Sequence, residues 1–370
     1  AEKGDQIVLI DYARTWGTNA ITIDSNGLNY QGDPDTLTVE YTTSGQSINI
    51  VYSDATKGWV PLEDDVTANE PVAPVTQKAI MVFGSDDNGA TATGISNLIS
   101  SSGVVASDTS AVATAKLMSM AATYGFDKAV YAFGDNGSNA GNTVNNSRNL
   151  VSNQGVVAST VTGAGTARNG GAATEYGTSG QAVIAFGYTA SAMTNLSNLV
   201  SNQGVVASDT TGVGTARYYP AGGRYGVGLG IFGYGSNNNS VSMSNKVSSS
   251  GVIASDTSGV GTAGFARSFA PYGSGLGMFI YGNNSGYSNQ TNRVSNTGVV
   301  ASNGQAAGTG RMDGGASSYG GDKGIGGFGY NGSPLGQTNL ISNSGVVASD
   351  TSAVGTARAK GEFAGYSNSA

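Results

Sequence analysis

Short apolar runs set off by Gly, Asn, Asp and Ser dominate the chain, and the longest, such as Lys78-Ala79-Ile80-Met81-Val82-Phe83, are continuous rather than spaced every third or fourth residue. A continuous run of about six apolar residues between turn-forming clusters predicts a strand buried on both faces. The pattern recurs. Aligned on Gly-Val-Val/Ile-Ala-Ser, the glycine falls at Gly103, Gly155, Gly204, Gly251, Gly298 and Gly345, spaced by 52, 49, 47, 47 and 47 residues. Six residues before each stands an asparagine (Asn97, Asn149, Asn198, Asn245, Asn292, Asn339) and three before each a serine. Twenty-one residues after each stands a tyrosine, at Tyr124, Tyr176, Tyr225, Tyr272, Tyr319 and Tyr366. One period holds four expected strands: the apolar run, Asn-Leu-Ile/Val-Ser, Gly-Val-Val-Ala-Ser, and Gly-Thr-Ala-Arg onward to Tyr-Gly. Four strands in 47–52 residues is the size of one β-propeller blade. Length varies mainly in the Gly/Asn/Ser segment after the apolar strand, which assigns that segment to loops.

The ends of the repeat bear on closure. The chain stops four residues after Tyr366, where the apolar strand of a further copy would begin, and an apolar strand without its preceding partner stands at 78–83. Pairing of the C-terminal strand with 78–84 would complete the first blade and close a six-bladed ring without an open sheet edge.

Charge divides the chain. Residues 1–77 hold three bases and twelve acids, net −9, while 78–370 hold fourteen bases and twelve acids, net +2. Trp16 and Trp59 both lie in the first part. The reading is a small acidic β module over 1–65, a proline-bearing linker over 66–77 that includes Pro71 and Pro74, and the propeller over 78–370.

Composition narrows the chemistry. Glycine is 59 of 370 residues and charged residues are 11%, so the surface is Ser, Thr, Asn and Gly, which disfavours solvated helices and favours an all-β fold. The chain has no Cys and no His, which removes disulfides, thiolate metal sites, imidazole bases and Ser-His-Asp triads. No cofactor and no metal is expected: the loops Ser85-Asp86-Asp87-Asn88-Gly89 and Asp135-Asn136-Gly137 lack the spaced carboxylates of a calcium loop. No run approaches the ~20 apolar residues of a membrane span and no signal peptide is evident, so a soluble chain without membrane insertion is expected; the start at Ala1 allows for processing or an upstream segment. Acidity, with aromatics apart from bases, speaks against nucleic acid.

A base recurs thirteen residues after the repeat glycine at Lys116, Arg168, Arg217, Arg311 and Arg358; the fourth copy has Gly264 there and Arg267 three residues later. Two roles fit. The bases could line the channel as a positive ring for an anionic sugar or lipopolysaccharide phosphate, or brace neighbouring blades against the turn aspartates Asp108, Asp209, Asp256 and Asp350, and bracing is favoured. Those aspartates, with Thr160 and Asn303 in the other copies, are expected to cap nearby backbone N–H groups. The tyrosines are expected to pack between blades. Trp16 and Trp59 are interface anchors if exposed and core if not.

The period, the Arg before a small-residue strand, the Tyr-Gly turn and the apolar strand ending in Phe-Gly resemble kelch-type propeller repeats, although the double glycine is replaced and the late Trp is missing. The wording Asn-Leu-Val-Ser-Asn-x-Gly-Val-Val-Ala-Ser-Asp-Thr-x-x-Val-Gly-Thr-Ala-Arg resembles repeats of tailed-phage tail fibres and appendages, and residues 4–11, 20–27 and 50–59 are similar to a small β module of phage fibre and head-appendage proteins. The resemblance implies a non-enzymatic virion structural protein, oligomeric in the assembly, that meets other virion proteins through residues 1–77 and a host-surface glycan or receptor through the propeller. A cell-surface or secreted adhesive or filament-forming propeller is the alternative. A glycan-active enzyme using Glu175 or Glu362 is weaker, since those glutamates occupy unrelated repeat positions.

Overall fold

The computed structural model describes residues 1–63, 77–87, 91–110, 113–137 and 143–367, and divides into two compact units, Ala1–Pro74 and Val75–Ala370. Both are built of antiparallel strands, and no helix occurs among the described residues. The fold is all-β. Residues 66–76 of the expected linker, with Pro71 and Pro74, lie outside the described residues.

In the first unit, Gln6–Ile10, Ser47–Asp54 and Gly58–Glu63 form one sheet, with Ser47–Asp54 central, and Ile21–Ile23 pairs with Val39–Tyr41. Alternation along Ser47–Asp54 turns Ile48, Ile50 and Tyr52 inward, where they meet Tyr30, Val39, Tyr41, Trp16 and Trp59. Both tryptophans are only 8% exposed, so they are core, and the anchor role does not apply to them. The Asp11 carboxylate accepts the backbone N–H groups of Thr15, Trp16 and Gly45, which fixes the loop that delivers Trp16 to this core.

The second unit holds six small sheets among the described residues. Each has a first strand ending near the repeat tyrosine, a second strand made by the apolar run, and a third containing the repeat asparagine: Met120–Tyr124, Lys128–Asp135 and Val144–Val151 are one set. The sheet nearest the N-terminus is composite. Its first strand is Glu362–Ser367, paired antiparallel with Gln77–Val82 from Glu362 opposite Val82 to Ser367 opposite Gln77, and Ser96–Ile99 follows. The two ends of the repeat region therefore share one sheet, as the split repeat predicts. First strands of successive sheets touch, and those of the last and first sheets touch in the same way.

One expected strand is different. Gly-Val-Val-Ala-Ser forms a single bridge to the third strand, for example Val105 to Ile99 and Val157 to Val151, instead of a ladder. The cause is local: Gly103 has φ +81, and the Ser100 hydroxyl accepts the Val104 N–H, turning the backbone out of extended pairing. That glycine has a second duty. A Cβ on Gly103 would lie 2.9 Å from the Tyr319 ring, and one on Gly204 2.9 Å from Tyr124, so the glycine makes room for the buried tyrosine of another copy.

Deleting the residues after Gly355 should destabilise the whole second unit. It removes Phe363 and Tyr366 from two apolar clusters, and burial of each large aromatic is worth about 3–5 kcal/mol. One cooperative melt, shifted down by more than 10 °C, is the expected result in a thermal scan. An unshifted melt would show that the paired ends do not hold the unit.

Candidate functional site

The five register-locked bases are fully buried, so no soluble anion reaches them. The geometry is that of the brace. Arg168 stacks 4.0 Å over the Phe133 ring of the preceding sheet, while its Nε donates to the Phe186 carbonyl and its Nη2 to Asn198 Oδ1 of its own sheet. Arg217 repeats this over Phe186 with Tyr234 and Asn245; Arg311 and Arg358 stack over Tyr281 and Phe328. Burial pulls Arg168, Arg217 and Arg358 down to about 10, which leaves them charged at neutral pH. In the fourth copy Arg267 reaches the same place from three residues further on, stacking 4.0 Å over Tyr234 and donating to the Tyr281 carbonyl and Asn292. The missing arginine is replaced in space.

The stacked aromatic is itself held in an unusual backbone. Phe83, Phe133, Phe186, Tyr234, Tyr281 and Phe328 all have φ between 55 and 67, and the glycine after each also has positive φ. At Gly187 a Cβ would lie 2.5 Å from the Asn169 carbonyl oxygen, so only glycine fits. This explains the Phe-Gly and Tyr-Gly pairs of the repeat: a left-handed residue turns the ring under the next cation.

The turn aspartates cap backbone as expected, but in the preceding copy. Asp209 accepts the N–H and hydroxyl of Thr166, Asp256 those of Thr215, and Asp350 those of Thr309; Asp108 accepts from Thr356, which joins the last copy to the first. Thr160 and Asn303 take the N–H groups of Thr114 and Thr262. Burial pushes the Asp209 carboxyl up, but bonds from Thr166 and Asn198 and the nearby Arg168 charge outweigh it and hold the group below the ordinary aspartate range. Asp135 is committed to Gly137, Thr143 and Asn169, and Asn88 and Gly89 lie outside the described residues.

Where the six copies converge, their backbones form a ring. Met118 N–H donates to the Lys360 carbonyl, Lys360 to Asp313, Asp313 to Ala266, Ala266 to Tyr219, Tyr219 to Gly170 and Gly170 to Met118, at 2.6–3.2 Å. All six residues are left-handed, with φ between 51 and 60, although five carry a side chain and each then costs about 1–2 kcal/mol. Beneath the ring is a cavity of ≈ 30 Å³, lined by all six copies and carrying Tyr219, Arg267, Asp313, Lys360 and Glu362. A second cavity of ≈ 40 Å³ lies next along the strands and shares Glu362 and Arg267. These are large enough for a water or two.

This cavity is the candidate site that sequence reading did not find. Asp313 and Glu362 occupy different repeat positions, fifteen and seventeen residues after the glycine, and only convergence of the copies unites them. Burial raises Glu362 to about 8, reinforced by the Asp313 charge; burial raises Asp313 to about 6, opposed by Lys360. Tyr219, whose hydroxyl bonds Met118 Sδ at 3.0 Å, is raised well above the phenol range by burial first. Burial thus moves both carboxyls toward neutrality. Glu175 is elsewhere, paired with Arg224 at 3.1 Å and accepting the Thr123 N–H, so the two glutamates share no pocket.

Two outcomes follow for stability. A carboxyl raised in the folded state stabilises fully below its unfolded value and loses that contribution as pH rises to its folded value, so Glu362 costs stability between pH 4.5 and 8 and Asp313 between 3.8 and 6. Glu362→Gln should flatten the fall in melting temperature between pH 5 and 8; an unchanged slope would remove Glu362 as its source. Lys116 is the weak brace. Among the described residues it donates only to Ser147 and leaves Asn149 Oδ1 without a partner, its copy has Thr160 where others have Asp or Asn, and it is pulled down to about 8 by burial. Lys116→Arg with Thr160→Asp should add about 1–3 kcal/mol beyond the sum of the single changes in a urea-unfolding cycle. Strict additivity would show that the guanidinium and carboxylate do not cooperate.

No protein-family model matches the chain, and no curated protein matches it.

Proposed function

We propose that this chain is a non-enzymatic structural protein of a tailed-phage virion, of the tail-fibre or appendage type. In this reading the six sheets are the blades of a closed, kelch-like β-propeller presented to the host surface, and the N-terminal unit attaches it to the particle. The backbone ring is the observation that best supports the propeller part, because its six bonds pass through every copy and return to the first. The Thr356–Asp108 cap and the Glu362–Ser367 strand support the same closure. The virion part rests on the repeat wording and on a scaffold whose differences in length lie mainly in the Gly/Asn/Ser loops, where binding functions usually sit. The non-enzymatic part is favoured by cavity size, since pockets that take small molecules are about 300–1,000 Å³ and the axial one is ≈ 30 Å³.

With Trp16 and Trp59 buried, attachment falls to another surface of the first unit. Gln6–Ile10 is the edge of its sheet, and Ile7, Val8 and Ile10 on it are exposed, with Tyr12 and Leu62 nearby in sequence or sheet. Asp5 and Asp11 bond to Tyr52 and Gln46 of the neighbouring strand, so by antiparallel alternation the peptide groups of Gln6 and Val8 point outward. An open, uncharged edge of this kind accepts a strand from another protein of the assembly.

Particles assembled with a chain lacking residues 1–74 should carry none of it, and Val8→Asp should reduce incorporation at least tenfold without lowering the melting temperature. Normal incorporation of the shortened chain would reverse the orientation. Purified protein should release no reducing sugar from host polysaccharide; release that disappears in Glu175→Gln or Glu362→Gln would establish an enzyme instead.

A further inference from the structure

On the face that carries the backbone ring, four sheets display aromatic side chains that the other two lack. Tyr188, Tyr218, Tyr219 and Phe265 follow one another at centroid separations of 6.1, 4.6 and 6.3 Å. Phe265 is bridged to Asn283, Asn283 to Tyr287, and the Tyr287 ring lies 5.8 Å from Tyr330, so the arc continues across successive sheets. None of these rings is in the buried core: Tyr287 is 44% exposed and the rest are half-buried. Their hydroxyls are largely unspent. The Tyr219 hydroxyl bonds Met118, that of Tyr188 reaches a carbonyl at 3.5 Å, and the hydroxyls of Tyr218, Tyr287 and Tyr330 make no hydrogen bond among the described residues.

The repeat shows that packing does not require these rings. At the position of Tyr218 and Phe265 the other copies have Leu117, Asn169, Met312 and Ala359, whereas the buried asparagine is the same in all six copies and the base at the bracing position is kept in five. The loops beside the arc, 188–192, 234–243, 281–289 and 328–337, are rich in Tyr, Asn, Ser and Gly and contain no charged residue; the corresponding loop of the first sheet has Asp86 and Asp87. Rigid tyrosines for contact area with Asn, Ser and Gly for adaptable hydrogen bonds is the composition of a recognition surface on a β scaffold. A pyranose ring presents apolar C–H faces and a polar hydroxyl rim, which matches stacking on such rings with amide and hydroxyl partners around them. The absence of charge selects against anionic sugars, whose desolvation would go uncompensated.

We infer that this arc is the binding platform for a neutral oligosaccharide spanning several pyranose rings. It rests on the host-attachment reading and adds to it the face, the residues and the ligand class.

The test is calorimetric titration of the full chain with neutral linear hexasaccharides of glucose, galactose and mannose, and with a uronic-acid hexasaccharide of equal length, alongside adsorption of the chain to host cells. A neutral hexasaccharide should bind; Tyr218→Ala and Tyr330→Ala should each weaken it at least tenfold with unchanged melting temperature. Tyr330→Phe should stay within threefold, and Phe126→Ala, in an exposed hairpin turn away from the arc, should bind as the parent does. Equal binding by the two alanine variants, or binding of the uronic-acid sugar alone, overturns the platform. If the parent and both alanine variants adsorb equally to cells, the platform is wrong and host attachment stands. If the parent fails to adsorb, the attachment reading falls, and the titration alone decides what the arc binds.

Discussion

The second unit depends on a cation held between every pair of sheets. Burying a guanidinium away from water is costly unless all its donors are met and an acid lies close. Arg168 is met by the Phe133 ring, the Phe186 carbonyl, Asn198 and Asp209, the last at 3.9 Å, and each partner is a repeat position. The need for a ring beneath the cation puts an aromatic in a left-handed backbone and a glycine after it. The need for an oxygen beside it fixes a fully buried asparagine, whose amide then holds the turn through the carbonyl nine residues on, as Asn198 does with Ala207. Much of the repeat's vocabulary thus follows from one buried charge. Arg267 shows that the demand is spatial: the chain position moved, while the contacts with ring, carbonyl and asparagine stayed.

The strands, their order within a period and the pairing of the two ends were legible from spacing, because a repeat with constant intervals has little freedom in how it folds. The buried role of the bases was legible as one of two alternatives, and Asn and Asp at fixed intervals pointed to it. Three things were not. Gly-Val-Val-Ala-Ser has strand composition, yet a serine hydroxyl and a left-handed glycine cut its pairing to one bridge. The aspartate caps look local in sequence, but the N–H groups they accept lie 41 to 43 residues before them, or 248 residues after in the case of Asp108. Asp313 and Glu362 share no motif at all and meet only because copies converge.

Symmetry sorts the residues by duty. Positions between sheets repeat, since each must satisfy the same neighbours. Positions on the ring face diverge, and there the chain has placed an arc of aromatics on one side and two acids with raised proton affinity at the centre. The polar centre is poor in volume and rich in charge; the arc is the reverse.

The composite sheet has a consequence for the order of events during synthesis. Its second strand, Gln77–Val82, leaves the ribosome nearly 300 residues before the first strand, Glu362–Ser367, that covers it. Until then the nascent chain carries five sheets that can fill in succession and one apolar strand with an open side. A chain interrupted late in translation is left with that strand uncovered and the contact between Thr356 and Asp108 unmade, a state open to proteases and chaperones. The sheet that holds Gln77–Val82 is thereby finished only when Glu362–Ser367 has been made.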